Sequence, residues 1–330
     1  MTNRPIYVNL FHLKSINGMF YYALDYLPET GYQILCNSKN ADISEIVPEG
    51  CTVIKLNYVS YLLFYLRAML FRLSIFTPTP HPLPFLSKQL IVLHDSYPFR
   101  IGRISFLKKA LFFLSLQCSK TKVGYINLCD AKAFLMQSNL PDDRFVFMPN
   151  KPPLNSLKKK SGLCPVDNII HVGAVGTDSL KKNYEMLFVY LQELKSHRRI
   201  KLYLFGQENA YVKDLRHQFP SCNFVVIDSG LVTLEDFLVT LDLLVSTAKG
   251  EGFCRPVALA LQMGIPCLLN DDPVFKEFYE HSAIFFKDLS EFKSGVSSIL
   301  SGNYEVMAFD VRNLNSQFIH AKSDLVHLLE

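Results

Sequence analysis

The chain has 330 residues, 49% of them hydrophobic and 19% charged, which is long for one core and suits two domains. A net charge of +4 is too small to argue for nucleic acid as a partner, and no run of like charge reads as a disordered tail. Its eight cysteines are scattered, none in a CxxC pair and several in apolar runs, so they read as small core hydrophobes in a reducing compartment.

The opening MTNRPIYVNLF lacks the layout of a signal peptide, which points to a cytoplasmic location. Ile6 to Leu10 reads as a strand, followed by a loop and a helical pattern from Met19 to Leu27. Asn17 and Gly18 lie at that turn, where backbone N–H groups and a helix dipole can face an anion; an ordinary tight turn fits equally well. Tyr32 to Cys36 and Cys51 to Leu56 read as strands. Tyr58 to Phe76 is apolar throughout, but Arg67 and Arg72 lie inside it, so it reads as a buried or interfacial helix and not a membrane span. Alternating prolines make a loop of Thr77 to Pro84. Gln89 to Leu93 is a strand that delivers His94 and Asp95 to its carboxyl end. Ile101 to Ser119 mixes Arg103, Lys108 and Lys109 with Phe106, Leu107, Leu111 and Phe112. With the helix from Tyr58 it forms either a surface for anionic lipid headgroups or a plain pair of core helices with solvated bases. Lys122 to Asn127, a helix over Cys129 to Gln137, and a strand over Arg144 to Met148 close the first half, and Asn155 to Asp167 reads as a linker.

The second half opens with a strand over Asn168 to Val172. Gly173, Gly176, Lys181, Lys182 and Asn183 then precede a helix over Tyr184 to Lys195. A glycine-containing loop leading to lysines at a helix start brings N–H donors, dipole and charge together on a phosphate. Strands follow over Ile200 to Phe205 and Asn223 to Ile227, with a short helix over Leu234 to Val239. The chain is organised around Leu243 to Asp272. There an apolar strand, a loop carrying Glu251 and Gly252, a helix over Arg255 to Met263, a stop at Gly264 and a strand over Ile265 to Leu269 make a βαβ unit. Ala283 to Phe286 is a last strand, and Glu291 to Leu300 and much of Glu305 to Leu329 are helical in pattern.

The stretch EGFCRPVALALQMGIP resembles the signature of family 4 retaining glycosyltransferases, with Glu251, Gly252 and Phe253 matching; Asp272 to Glu277 and Pro149-Asn150 resemble further segments of that family. The resemblance implies an α/β chain of the GT-B fold, two Rossmann-like domains facing a central cleft. The first, over 1–154, would bind the acceptor; the second, over 155–304, would bind a nucleotide-sugar; a helix over 305–330 would return to the first. It implies a donor site of Gly173, Lys181, Lys182, Asn183, Glu251, Gly252, Phe253, Cys254 and Arg255. Lys182 would contact the diphosphate and Glu251 the sugar hydroxyls. His94 would stand near the reacting sugar, and Asn17, Gly18 and Asp95 would stand near the acceptor or phosphate. Two departures stand out: Leu259 occupies the place of the family's second Glu, which holds the ribose, and Ala174 that of its usual arginine.

Metal-ligand spacings and a GxSxG elbow are absent from the sequence, so no metal and no cofactor are expected beyond the nucleotide-sugar co-substrate. Cations and helix N-termini would then assist departure of the nucleotide. The expected activity is metal-independent, retaining sugar transfer to a glycan or lipid-linked acceptor in bacterial surface polysaccharide synthesis, with a peripheral seat on the inner membrane face as one reading of the basic aromatic stretches. The competing expectation is a catalytically impaired GT-B subunit serving as a partner protein.

Overall fold

The computed structural model describes residues 5–13, 18–27, 31–39, 43, 46–153, 169–177, 179–194, 199–305 and 307–329. The chain forms two compact units, one of Met1–Lys151 with Arg312–Glu330, the other of Pro152–Val311.

Unit 1 is built on seven parallel strands: β1 (Ile6–Asn9), β2 (Tyr32–Asn37), β3 (Thr52–Leu56), β4 (Ile75–Thr77), β5 (Gln89–Leu93), β6 (Lys122–Tyr125) and β7 (Phe145–Phe147), in spatial order β3-β2-β1-β4-β5-β6-β7. Every residue of β1, β4 and β5 is buried, as parallel strands covered on both faces require. The longer helices in their connections are α1 (Gly18–Tyr26), α2 (Tyr58–Phe71) and α3 (Ser105–Gln117), the last preceded by a single helical turn over Tyr97–Arg100. α2 starts with a capping box: Ser60 N donates to Asn57 Oδ1 at 2.8 Å and Asn57 N to Ser60 Oγ at 2.9 Å.

The sequence expectation of one helix over Tyr58 to Phe76 is corrected here. The helix stops at Phe71 with Arg72 in the left-handed conformation at φ 51°, and Ile75–Thr77 is β4, seated between β1 and β5. The junction, Arg72 to Ser74, carries neither glycine nor proline, so the sequence pattern does not separate a helix end from a three-residue buried strand. Thr77 likewise belongs to the sheet and not to the proline loop. The helix expected over Cys129 to Gln137 is a π turn over Leu128–Lys132, one α turn and a 3-10 turn, started by Asn127 Oδ1 accepting from Asp130 N and Ala131 N.

Unit 2 has six parallel strands: β8 (Ile169–Val175), β9 (Arg199–Gly206), β10 (Phe224–Asp228), β11 (Leu243–Ser246), β12 (Cys267–Asn270) and β13 (Ile284–Phe286), in order β10-β9-β8-β11-β12-β13. Its helices are α4 (Tyr184–Gln192), α5 (Ala210–Gln218), α6 (Leu234–Val239), α7 (Arg255–Gln262), α8 (Pro273–Tyr279) and α9 (Leu289–Ser301). α5 went unread in the sequence because its segment is polar; Asn209 Oδ1 caps it by accepting from Val212 N at 3.0 Å, and Val212 and Leu215 are its only buried residues. The strand order reverses between β1 and β4 in the first sheet and between β8 and β11 in the second. The carboxyl ends of those pairs are where doubly wound sheets open a crevice for ligands.

The last helix, α10 (Val311–Leu329), is part of unit 1. Phe318 is buried with its ring 5.0 Å from that of Tyr26, Lys322 Nζ donates to Asp25 O at 2.7 Å, and Ser74 Oγ donates to Leu329 O at 3.0 Å. Removing the ring in Phe318→Ala should cost unit 1 about 3–5 kcal/mol. Urea denaturation of the full chain should show one transition moving to lower urea while the other holds.

Candidate functional site

At the β8–β11 switch point two loops meet. The first leaves β8 at Val175 and turns at Gly176, whose φ of +94° suits glycine. Thr177 Oγ1 donates to Gln207 O at 2.8 Å and accepts from Gln207 N at 2.9 Å. It occupies the space a side chain at Gly206 would need, since a Cβ there would lie 2.3 Å from that oxygen. A 3-10 turn, Leu180–Lys182, then delivers both lysines, and Asn183 at φ 54° starts α4. The Tyr184 hydroxyl reaches back from α4 and donates to Gly176 O, fixing the loop against its own helix.

The second loop follows β11. Thr247 is buried, and its Oγ1 lies 2.8 Å from Lys182 O and 3.0 Å from Asn183 O, while Lys249 N donates to Lys181 O at 2.9 Å. The loops are therefore stitched together through backbone carbonyls before any charge is considered. Gly250 N donates to Asp272 Oδ2 at 3.2 Å, and the other oxygen of Asp272 caps α8 by accepting from Val274 N at 2.9 Å. Tyr279, buried at the far end of α8, donates its hydroxyl to Phe253 O at 2.6 Å and so holds the loop from below.

Within this frame lies Glu251, 6% exposed, with Oε1 2.9 Å from Lys182 Nζ and Oε2 3.6 Å from Lys181 Nζ. Burial by itself would raise the carboxyl pKa; the two ammonium groups outweigh it and hold it down at about 2. Burial would likewise lower Lys182, but the Glu251 carboxylate outweighs it and keeps the ammonium charged well above its ordinary range. The cluster carries one surplus positive charge and lies where α4 and α7 begin, an arrangement whose field favours negative charge. The carboxylate between the lysines adds an acceptor for hydroxyl groups.

Cys254 precedes α7 at φ 60° and ψ 69°, a left-handed conformation unusual for a residue with a Cβ. Burial, and then the neighbouring Glu251, push its thiol up to about 12. It stays protonated and is no nucleophile. Arg255 and Pro256 form the first turn of α7, and Leu259, buried, lies one turn beyond Arg255 on the same side.

Several residues singled out from the sequence have other structural roles. Gly173 is a packing glycine inside β8 and not part of the phosphate-type loop: a Cβ there would lie 2.2 Å from Leu241 Cδ1 and 3.0 Å from Phe237 Cζ. Ala174 is buried in the same strand. In unit 1, Gly18 is the exposed first residue of α1, with open space where a Cβ would be, and Asn17 lies outside the described residues. His94 follows β5; its Nε2 lies 2.9 Å from Pro78 O and its ring packs edge-on to Tyr22 at 4.6 Å. Asp95 Oδ1 accepts from Tyr97 N at 3.1 Å, so it shapes the following turn. Thr247, Tyr184 and Tyr279, which position the site, carry no readable functional signal in the sequence; Asp272, which the sequence shows only as the start of a family-like segment, is the cap of α8 ahead of a proline. Among the described residues, no three His, Cys, Asp or Glu side chains gather as metal ligands.

No protein-family description matches this sequence, and no curated protein does. Solved structures do match over nearly the whole chain. HepE of Anabaena, determined in complex with UDP and glucose, superposes with a TM-score of 0.68 at 14% identity, covering 97% of this chain and 100% of that one. WaaG, a glycosyltransferase involved in lipopolysaccharide biosynthesis, gives 0.65 at 14% identity over 97% of this chain and 95% of its own. Sucrose-phosphate synthase from Thermosynechococcus elongatus gives 0.68 at 12% identity over 99% and 95%. The two parallel-sheet α/β domains are thus those of the GT-B fold.

The Glu251 carboxylate should make stability depend on acidity in a defined window. With its pKa depressed in the folded state, its contribution is complete above the ordinary carboxylate value of 4.5 and is lost as pH falls towards about 2. Urea midpoints recorded across that range should fall more steeply for the natural chain than for Glu251→Gln. At position 254, Cys254→Gly should exceed Cys254→Ala in stability by about 1–2 kcal/mol, read from denaturant midpoints, because only glycine adopts the left-handed conformation without strain.

Proposed function

We propose that this GT-B protein transfers a sugar from a nucleotide-sugar to a glycan or lipid-linked glycan acceptor, with retention of anomeric configuration and without a metal, in bacterial surface polysaccharide synthesis such as that of lipopolysaccharide. It would work in the cytoplasm, seated peripherally on the inner membrane face. The observation that carries this reading is the buried Glu251 between Lys182 and Lys181 at the switch point of the second sheet. The neighbours add weight: HepE was determined with UDP-glucose, and WaaG belongs to lipopolysaccharide biosynthesis.

In this reading Lys182, with Lys181 and Arg255, meets the diphosphate, and the backbone of Gly252, Phe253 and Cys254 with the start of α7 completes the anion pocket. As the glycosidic bond to the nucleotide breaks, negative charge grows on the departing phosphate, and these groups stabilise it more than they stabilise the intact donor. Glu251 accepts hydrogen bonds from sugar hydroxyls and offsets positive charge at the anomeric carbon. The acceptor hydroxyl attacks the same face, and its proton leaves on the departing phosphate. His94 would exchange Pro78 O for the sugar or its diphosphate, Asn183 would anchor the loop under the donor, and Asn17, Gly18 and Asp95 would border the acceptor.

One observation favours the second reading, an impaired subunit acting as a partner protein. Leu259 and Ala174 are both buried and apolar, so neither can bond a ribose hydroxyl or a phosphate. Calorimetric titration of the full chain with UDP, GDP, ADP and CMP and their sugars separates the two. The enzyme reading expects saturable binding of one nucleotide, weakened roughly tenfold or more in Lys182→Ala. The double variant Lys182→Met/Glu251→Met, which removes both members of the 2.9 Å pair together, should fold and still fail to bind. If none of the nucleotides saturates the natural chain, the enzyme reading falls and the partner reading takes its place.

A further inference from the structure

Unit 1 exposes a large apolar surface that the donor site leaves unused. On α2 only Tyr61 and Ala68 are buried, and Val59, Leu63 and Leu70 are 69%, 61% and 76% exposed. A helix face towards water is ordinarily polar; along this one, Arg67 is the charged exception. The surface continues beyond the helix. Tyr65 OH donates to Pro84 O at 2.6 Å, joining α2 to the proline loop, and Phe85 N donates to Cys118 O at 3.1 Å, joining that loop to the end of α3. Phe85 is itself 67% exposed at φ 64°, and Phe106 on α3 is 83% exposed beside Leu107 and Leu111. The connections β3 to β4 and β5 to β6 run in the same direction across the sheet, so right-handed crossovers put α2 and α3 on one face of it.

The charge on this stretch is one-sided. From Asn57 to Thr121 there are eight lysines and arginines, of which Arg100 pairs with Asp130 at 2.8 Å, and a single carboxylate, Asp95, whose Oδ1 is engaged by Tyr97 N.

We propose that α2, the proline loop and α3 form one docking face for an anionic lipid bilayer, with the apolar side chains entering the headgroup region and the bases meeting lipid phosphates. The proposal rests on the peripheral placement given above and supplies its surface; it does not rest on donor chemistry. Lipid fits because the face offers apolar bulk and one sign of charge. No helix among the described residues is long and apolar enough to cross a membrane, so the face lies on the bilayer. Its border is informative. The ring of Tyr58 packs edge-on to Phe11 at 5.3 Å, and next to Phe11 the imidazoles of His12 and His81 stack at 4.7 Å. These residues follow β1 and β4, so the docking face ends at the crevice of the first sheet, where a lipid-linked acceptor would arrive with its headgroup.

The test is co-sedimentation of the full chain with phosphatidylcholine vesicles, with and without phosphatidylglycerol, at low and high salt. Retention on the anionic vesicles, reduced but not abolished by salt, is expected. Each base near such a surface strengthens binding about fivefold, so Arg67→Gln/Lys108→Gln should weaken it roughly twentyfold. Leu63→Glu/Phe106→Glu should abolish it while circular dichroism stays unchanged. No retention, or equal retention on neutral vesicles, overturns the proposal. So does a dimer seen by light scattering that Leu63→Glu/Phe106→Glu converts to monomer without any vesicle binding, which would make a second copy the occupant. Nucleotide titration on the same preparations keeps the two readings apart: it reports on unit 2 alone, so either can fail while the other stands.

Discussion

A carboxylate shielded from water has to be neutralised by its surroundings, and in unit 2 that requirement joins two otherwise separate loops. Glu251 lies 69 residues from Lys182 in sequence and 2.9 Å from it in space. An isolated buried charge would cost several kcal/mol; with its partners it stays ionised far into acid. The backbone bonds from Thr247 and Lys249 to the lysine turn hold those partners in place, and Tyr184 and Tyr279 fix each loop from its own side. The result is a pre-set cluster of charge at the sheet edge, already assembled without a ligand. The same arrangement explains why Cys254 is inert: a thiolate beside Glu251 in so enclosed a place is unfavourable twice over.

Much of this architecture is written in local patterns. Parallel strands buried on both faces appear as short apolar runs, and the βαβ succession around Glu251 stands out because Gly264, at φ +75°, ends the helix where the pattern ends. What escaped was set by neighbours far away in sequence. Ile75–Thr77 is a strand because a gap between β1 and β5 receives it, and its own composition differs little from the helix before it. Gly173 and Gly176 look alike in the sequence. One is glycine because Leu241 fills the space of its Cβ, the other because its φ is positive, and only the fold distinguishes them. The tyrosines that brace the site are equally silent, since their partners are carbonyls exposed only after the loops have turned. Lys182 stood out as charge after a glycine loop at a helix start, and Glu251 through the family-like motif around it; that the two pair was not legible, because 69 residues separate them.

The two ends of the described chain carry a constraint of a different kind. The polypeptide leaves unit 1 at Lys151 and re-enters it at Arg312, so a layer of the first unit is encoded after the whole of the second. On a ribosome, unit 2 is contiguous and can close as soon as it emerges. Unit 1 must wait with Tyr26 and Asp25 uncovered until α10 brings Phe318 and Lys322. At about 5–20 residues per second, the intervening segment delays that moment by roughly ten to thirty seconds. During that interval the nascent chain presents the uncovered α1 side of its first sheet, in addition to the exposed apolar side chains of α2 and α3 on the other. Newly made molecules are therefore expected to be most prone to aggregate just before synthesis of the last helix is complete.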